Sequence, residues 1–274
     1  MTLHIREQAE PMRPCPLDRR LRYAGNILLP EIGENGQERL LSAKVLVIGG
    51  GGLGSALLFY LAAAGVGTLG LVDDDRVALS NLQRQILYGG GDVGRPKVES
   101  AEKRLHSLNP DIDYIVYQRR LDADNADELI AGYDLVADGC DNFKTRFIVN
   151  AACLWQEKTL VSAAVTGFSG QLYTFKPYRG APHPCYRCLY PDTLTDATPG
   201  CSQSGVLGSL AGQMGSWQAT EVVKELLGLG ESLSGRMMVV EALTNTIRKL
   251  TIKRNPSCPC CGGADVARTA DGPS

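Results

Sequence analysis

No run of apolar residues in this 274-residue sequence approaches the roughly 20 that a membrane-spanning helix needs, so a helical span is excluded. The N-terminus lacks the apolar core of a secretory signal. Met1 to Arg22 is polar, with prolines and arginines, and 1–21 is expected to be a flexible arm. Charge of one sign is also missing: 28 Lys and Arg against 30 Asp and Glu leave a net −2. That balance argues against nucleic acid or an anionic membrane as partner. Cysteine, by contrast, is plentiful, at nine. Without a signal the chain is expected in the cytoplasm, where clustered cysteines more often bind metal or react than form disulfides. The apolar fraction of 44% is ordinary, and the length suits one large α/β domain or one with a small appendage.

One dense stretch, 44–97, organises the rest. Val45-Leu46-Val47-Ile48 is apolar at every position, as in a parallel strand covered on both faces. It enters Gly49-Gly50-Gly51-Gly52-Leu53-Gly54. The spacing Gly49-x-Gly51-x-x-Gly54 suits a loop that turns tightly, approaches phosphate and packs a helix on its strand. The helix predicted over 55–64 would aim free N–H groups at an anion. A second apolar run, 68–72, ends on Asp73, 19 residues after Gly54, where a carboxylate can hold ribose hydroxyls. Gly49, Gly51, Gly52, Gly54 and Asp73 are therefore read as nucleotide-binding. The bland alternative is a structural glycine turn and an exposed strand-end acid. Asp74 and Asp75 are ambiguous by chemistry alone; Asp75 is counted with the site.

Ser80-Asn81-Leu82-Gln83-Arg84-Gln85 is too polar for core and falls where a loop should face the ligand. Arg84 offers a planar donor fork to phosphate, and Asn81 could donate beside it; alone, the hexapeptide also fits an exposed short helix. Pro96 marks a helix start. Lys97 then lies in a first turn, against the usual preference for acids there, which suggests an anion nearby; an ordinary surface lysine is the alternative. Strands are predicted over 112–117 and 133–138, with a helix over 124–131 between them. The second strand runs into Gly139-Cys140-Asp141-Asn142. Ligands bind at strand C-termini in open α/β sheets, so Asp141, opposite Arg84 and Lys97, is placed to hold Mg²⁺ on a polyphosphate. Asp141 or Asn142 could instead cap the helix predicted over 143–155. A fifth strand, 159–165, completes a Rossmann-like, doubly wound, mostly parallel sheet. The stretches 170–176 and 237–254 alternate like antiparallel strands that extend it. A long amphipathic helix with Leu210, Met214, Trp217 and Val222 on its stripe is read as core or subunit interface.

Cys185-Tyr186-Arg187-Cys188 and Cys258-Pro259-Cys260-Cys261 supply two CxxC pairs in turn-rich neighbourhoods. Two such pairs read as one closed tetrahedral zinc site, structural in role, made by Cys185, Cys188, Cys258 and Cys261. Cys260 is spare. Cys201, in Thr198-Pro199-Gly200-Cys201-Ser202, belongs to neither pair. A loop thiol becomes a nucleophile if cations lower its pKa, and the sequence shows none beside it.

Together these residues resemble the MoeB/ThiF family, bacterial relatives of ubiquitin-activating enzymes. The likeness runs from Arg22-Tyr23 to Cys261-Gly262. It rests on Gly-Gly-Leu-Gly at 51–54, Ser-Asn-Leu-Gln-Arg-Gln at 80–85, Gly-x-Pro-Lys ending at 97, Asp141-Asn142, Cys-Tyr-Arg-Cys at 185–188, Gly-Val-Leu-Gly at 205–208 and Asn255-Pro256-x-Cys258-x-x-Cys261. The glycine fingerprint alone would have suggested NAD; the resemblance implies ATP. It implies an adenylyltransferase that activates the C-terminal Gly-Gly carboxylate of a small ubiquitin-fold sulfur carrier, for molybdopterin or thiamine-type sulfur transfer. Asp73 would hold ribose, Asn81, Arg84 and Lys97 the phosphates, and Asp141 the Mg²⁺. The family's zinc ligands match the four cysteines, and Cys201 falls where some members bond to the carrier's sulfur. The resemblance also implies a homodimer, and one domain over 22–263 with a nucleotide part at 44–165 and a carrier and zinc part at 166–263. No rhodanese-like extension follows Gly263, so a separate sulfur donor is expected; the tail 264–274 is expected to be disordered. One departure stands out. The family reads Arg-Tyr-x-Arg-Gln, its second arginine reaching the partner subunit's ATP, whereas this chain reads Arg22-Tyr23-Ala24-Gly25-Asn26. Arg19, Arg20 or Arg22 would have to substitute. Two other classes compete: a weakly or non-catalytic scaffold for a ubiquitin-fold partner, favoured by Gly25, and an NAD-dependent oxidoreductase, which leaves Arg84, Lys97 and Asp141 without a role.

Overall fold

A computed structural model describes residues 16–190 and 205–262. Its eight-stranded sheet is built outward from β1 (Lys44–Ile48), whose four apolar residues are all buried. Their side chains alternate between two cores. Val45 and Val47 face one cluster, Leu46 and Ile48 the other. β2 (Thr68–Val72), β3 (Asp113–Tyr117), β4 (Leu135–Asp138) and β5 (Thr159–Thr166) complete the parallel part. Ile48 pairs with Val72 on one side and Asp138 on the other. β6 (Ser169–Phe175), β7 (Arg236–Glu241) and β8 (Thr246–Thr251) then add antiparallel strands. The spatial order is β3-β2-β1-β4-β5-β6-β7-β8.

Helices cover both faces, as the unbroken apolar strands require. Gly52–Ala64, Lys97–Leu108 and Gly208–Leu227 bury their apolar residues in the core that receives Val45 and Val47. Ala126–Ala131 and Phe143–Trp155 cover the opposite core. Burying a leucine such as Leu57 or Leu61 contributes about 1.5–3 kcal/mol, so the anchoring of these helices is mainly hydrophobic.

Two glycines are dictated by contact. Gly49 has φ +90°, a left-handed conformation that lets β1 turn into the loop. A Cβ on Gly54 would lie 2.0 Å from the Gly49 carbonyl oxygen, so only glycine lets the helix seat this close to the strand. The helix begins at Gly52, inside the loop, earlier than the predicted 55.

The apolar stripe of Gly208–Leu227 is absorbed within the chain. Leu210, Met214 and Val222 are completely buried, and a Cβ on Gly215 would lie 2.3 Å from the Leu53 carbonyl oxygen. For Leu210, Met214 and Val222 the core reading of that stripe holds; Trp217 is half-buried against the same core. At the N-terminus, the last residues of the stretch read as an arm form a helix, Pro16–Arg22. Arg22 anchors that end by pairing with Asp111 at 2.9 Å.

Candidate nucleotide site and cysteine cluster

The C-terminal ends of β1, β2 and β4 open into a cavity of about 340 Å³. The turns that follow these strands bring Gly49, Gly51, Gly52, Asp73, Asp75, Asn81, Arg84, Lys97, Asp141 and Asn142 to its walls. Residues spread over almost 100 positions of sequence thus converge on one site. Gly54 lies outside the lining and serves the packing just described. Cys201 falls outside the described residues.

Asp73 ties β2 to the glycine loop. Its Oδ2 accepts the Gly50 N–H at 2.7 Å and its Oδ1 the Asp75 N–H at 2.9 Å. Burial raises the Asp73 pKa above its ordinary value; Lys97 and the two backbone donors oppose that rise. The anion that Lys97 was expected to face is supplied, in part, by the protein. Its Nζ sits 2.7 Å from Asp75 and 3.9 Å from Asp73, and the side chain is only 4% exposed. Asp73, Asp74 and Asp75 also bring carboxylate oxygens within 4.8 Å of one another. Arg84 donates to Asn81 Oδ1 at 2.9 Å, which orders both groups on one wall. Tyr88 reaches beneath the loop and donates to the Gly50 carbonyl at 2.8 Å; burial pushes its pKa well up, so it stays a donor.

Sequence reasoning left open which residue caps the helix at 143. Asn142 does: its Oδ1 accepts the Thr145 N–H at 2.9 Å. Asp141 is left exposed at the cavity, with no protein partner among the described residues.

Below Asp141 lies a buried network that sequence reasoning missed. Asp138, the last residue of β4, accepts from Cys140 N–H at 2.9 Å and from Ser162 Oγ–H at 2.8 Å, with Arg146 at 3.4 Å. Arg146 also donates to Ser162 Oγ, to the Ala163 carbonyl at 2.7 Å and to the Cys140 carbonyl. Burial works against its charge, but Asp138 together with Cys140, Tyr186 and Tyr173 more than offsets that, so its pKa is raised and it stays a cation. Asp138 and Arg146 thereby fix both ends of the Gly139–Cys140 turn that presents Asp141. An acid closing an otherwise apolar strand, with an arginine eight residues on, was the signal. Cys140 lines the same cavity, yet burial, then Asp138, push its thiol up, away from nucleophilic character. Gln85, within the 80–85 motif, also belongs to the site. It lines the cavity at 4% exposure, and its Oε1 has no partner among the described residues.

The two CxxC pairs meet. Sulfur atoms of Cys185 and Cys258 are 3.6 Å apart, those of Cys188 and Cys261 3.4 Å and those of Cys185 and Cys188 3.9 Å; all four lie within 4.8 Å of one another. Four thiols so gathered could hold one metal ion. Cys260 lies in the same cluster, against Cys185, and its sulfur also accepts from Asn150 at 3.3 Å, whose Oδ1 accepts the Tyr186 N–H at 2.7 Å.

Near the N-terminus, Gly25 is exposed and a Cβ there would meet nothing within 4 Å. Of the possible substitutes, Arg22 pairs with Asp111 and Arg20 with Glu34.

Comparison with known proteins follows the same lines. The model of the ThiF family matches residues 23–260. The sulfur carrier protein adenylyltransferase of Thermus thermophilus is 47% identical over 250 residues, which cover 90% of this chain and 92% of that protein. The SAMP-activating enzyme E1 of Haloferax volcanii is 45% identical over 251 residues, covering 91% and 92%. Escherichia coli MccB, solved with ATP, has the same fold: TM-score 0.77 at 22% identity, over 88% of this chain and 73% of that one.

Proposed function

The chain belongs to the ThiF family, and from that premise we propose that it is an ATP-dependent adenylyltransferase of a ubiquitin-fold sulfur carrier ending in Gly-Gly. The observation that carries the reading is the single cavity in which the glycine loop, Arg84, Lys97 and Asp141 converge. The carrier carboxylate attacks the α-phosphate of ATP, pyrophosphate leaves, and the acyl-adenylate awaits a sulfur nucleophile. Asp73 and Asp75 orient the ribose side. Arg84, Asn81 and Lys97 receive phosphate oxygens, and their fixed donors stabilise the charge that develops as the α-phosphate is attacked. Lys97 exchanges part of its contact with Asp75 for phosphate, so its present ion pair stores the side chain beside the site. Asp141 would provide an oxygen ligand for Mg²⁺, which would neutralise polyphosphate charge when bound, while Asn142 holds the helix start beside it. Cys185, Cys188, Cys258 and Cys261 hold a structural zinc that joins the segment after β6 to the C-terminal region.

The active form is a cytoplasmic homodimer. Molybdopterin-type and thiamine-type sulfur transfer both fit the chemistry. Gly25 favours a second reading, a weakly catalytic scaffold that still docks the carrier. Exchange of labelled pyrophosphate into ATP separates the two. Exchange that requires a Gly-Gly carrier and falls at least about 100-fold in Asp141→Ala supports the enzyme. ATP binding without exchange, across purified carriers of both types, leaves the scaffold.

A further inference from the structure

Beyond the residues proposed to face phosphate, the cavity has a further wall: Arg119, Arg120 and Leu121, just after β3. Arg119 is the informative member. Its guanidinium carbon lies 5.6 Å from the centre of the Tyr117 ring, and its outer nitrogen reaches Glu128 at 3.3 Å. The side chain as a whole is 39% exposed, yet its Nε is buried and has no hydrogen-bond partner among the described residues. A buried N–H without an acceptor is costly, and commonly marks where a ligand or water belongs.

The sheet order says which part of a nucleotide comes here. The glycine loop follows β1, the ribose carboxylate Asp73 follows β2, and Arg119 follows β3, in adjacent positions. Asp73 and Tyr117 touch directly, the Asp73 N–H donating to the Tyr117 carbonyl at 3.2 Å. A nucleotide with its phosphates at the glycine loop and its ribose on Asp73 extends its base toward the end of β3. Buried Leu121 offers that base an apolar floor. Arg119 offers a planar cation beside the Tyr117 ring, and the face of such a guanidinium can stack on a purine.

We infer that Arg119 is a nucleobase clamp: it stacks on the purine of ATP, sets base affinity, and takes no part in holding phosphate. The inference rests on the adenylation reading above and adds a specificity-determining residue to it. Glu128 then tethers the guanidinium from outside the cavity.

The test uses the carrier-dependent exchange reaction, in which ATP and pyrophosphate have separate KM values. Arg119→Ala raises the KM for ATP about fivefold or more, the size of a lost cation–π contact, while the KM for pyrophosphate stays within about twofold. Glu128→Gln removes the tether but keeps the stacking group, and leaves both constants within about twofold. Equal rises in both constants for Arg119→Ala, or no rise for ATP, overturn the clamp while the adenylation reading survives. A wild-type protein that shows no exchange defeats that reading and the clamp with it.

Discussion

Asp73, in its proposed ribose-binding role, would serve binding at the expense of the fold. Burial raises its pKa, so folding favours the protonated carboxyl. That contribution is fully present below the ordinary value of 3.8 and is lost as pH rises through the raised folded value. At neutral pH the ionised group is therefore a liability in the nucleotide-free protein. Asp73→Asn is expected to melt progressively higher relative to wild type as pH is raised from the ordinary 3.8 through the raised folded value, read by calorimetry. The same variant should bind ATP about tenfold more weakly or worse, because a charged acceptor for ribose is gone. A melting difference that stays flat with pH would contradict the assignment of the shift to Asp73. Arg146 acts one step further from the ligand, as a positioning residue for Asp141. Arg146→Lys keeps a cation but cannot serve Ser162, Ala163 and Cys140 together. It should raise the Mg²⁺ concentration needed for half-maximal exchange by several-fold, about 1 kcal/mol in binding terms, whereas a variant that merely loosens the fold leaves this Mg²⁺ requirement unchanged.

At the level of elements, the strands between 44 and 166 were legible because each is an apolar run closed by a turn signal, and their order follows from alternation with helices. Phe143–Trp155 was recovered end to end, since Asn142 is a strong cap and Glu157, in the turn beyond, breaks the helical path with φ 55°. The short helix Pro16–Arg22 was not legible in a stretch rich in charge and proline; what fixes it is a distant contact, Arg22 with Asp111. Likewise the stripe on Gly208–Leu227 shows that something covers it, never whether the cover is its own chain. The helix packs on Gly52–Ala64 through Gly215, a close approach that no periodicity reveals. The cysteine knuckle is the most autonomous element. It joins the turn at Cys185 to the C-terminal segment through sulfur contacts and through Arg254, which donates to the carbonyls of Pro177, His183 and Cys261. Chelation or Cys258→Ser is expected to abolish a stoichiometric zinc signal in elemental analysis and to expose the segment after β8 to protease. ATP affinity should change less than about twofold, because the cavity shares no residue with the knuckle. A parallel loss of ATP binding would contradict that separation.

For the whole molecule, the candidate site was largely readable as a set of residues, because strand-end positions converge on one edge of an open α/β sheet. What was not readable is how the protein occupies its own site. Lys97 is paired with Asp75, Asn142 rather than Asp141 caps the helix, and a buried ion pair underlies the turn that presents Asp141; each depends on side-chain contacts that sequence alone does not show. Gly25 remains the feature that sets this chain apart from the family pattern. The first side-chain atom has room there, since a Cβ meets nothing within 4 Å. In the proposed dimer Gly25→Arg should raise the exchange rate about tenfold or more, by returning a cation to the partner's ATP, with no change in subunit stoichiometry. An unchanged rate would mean that another residue already fills that role. The central claim itself is chemical, that this chain forms an acyl-adenylate on a Gly-Gly carboxylate. The most direct measurement is intact mass spectrometry of a purified carrier after incubation with the protein, ATP and Mg²⁺, without any sulfur donor. The expected result is a carrier species heavier by one adenylyl group, absent when its terminal glycine is removed and absent with Asp141→Ala. A carrier of unaltered mass, under conditions where the protein binds ATP and carrier together, would contradict the claim.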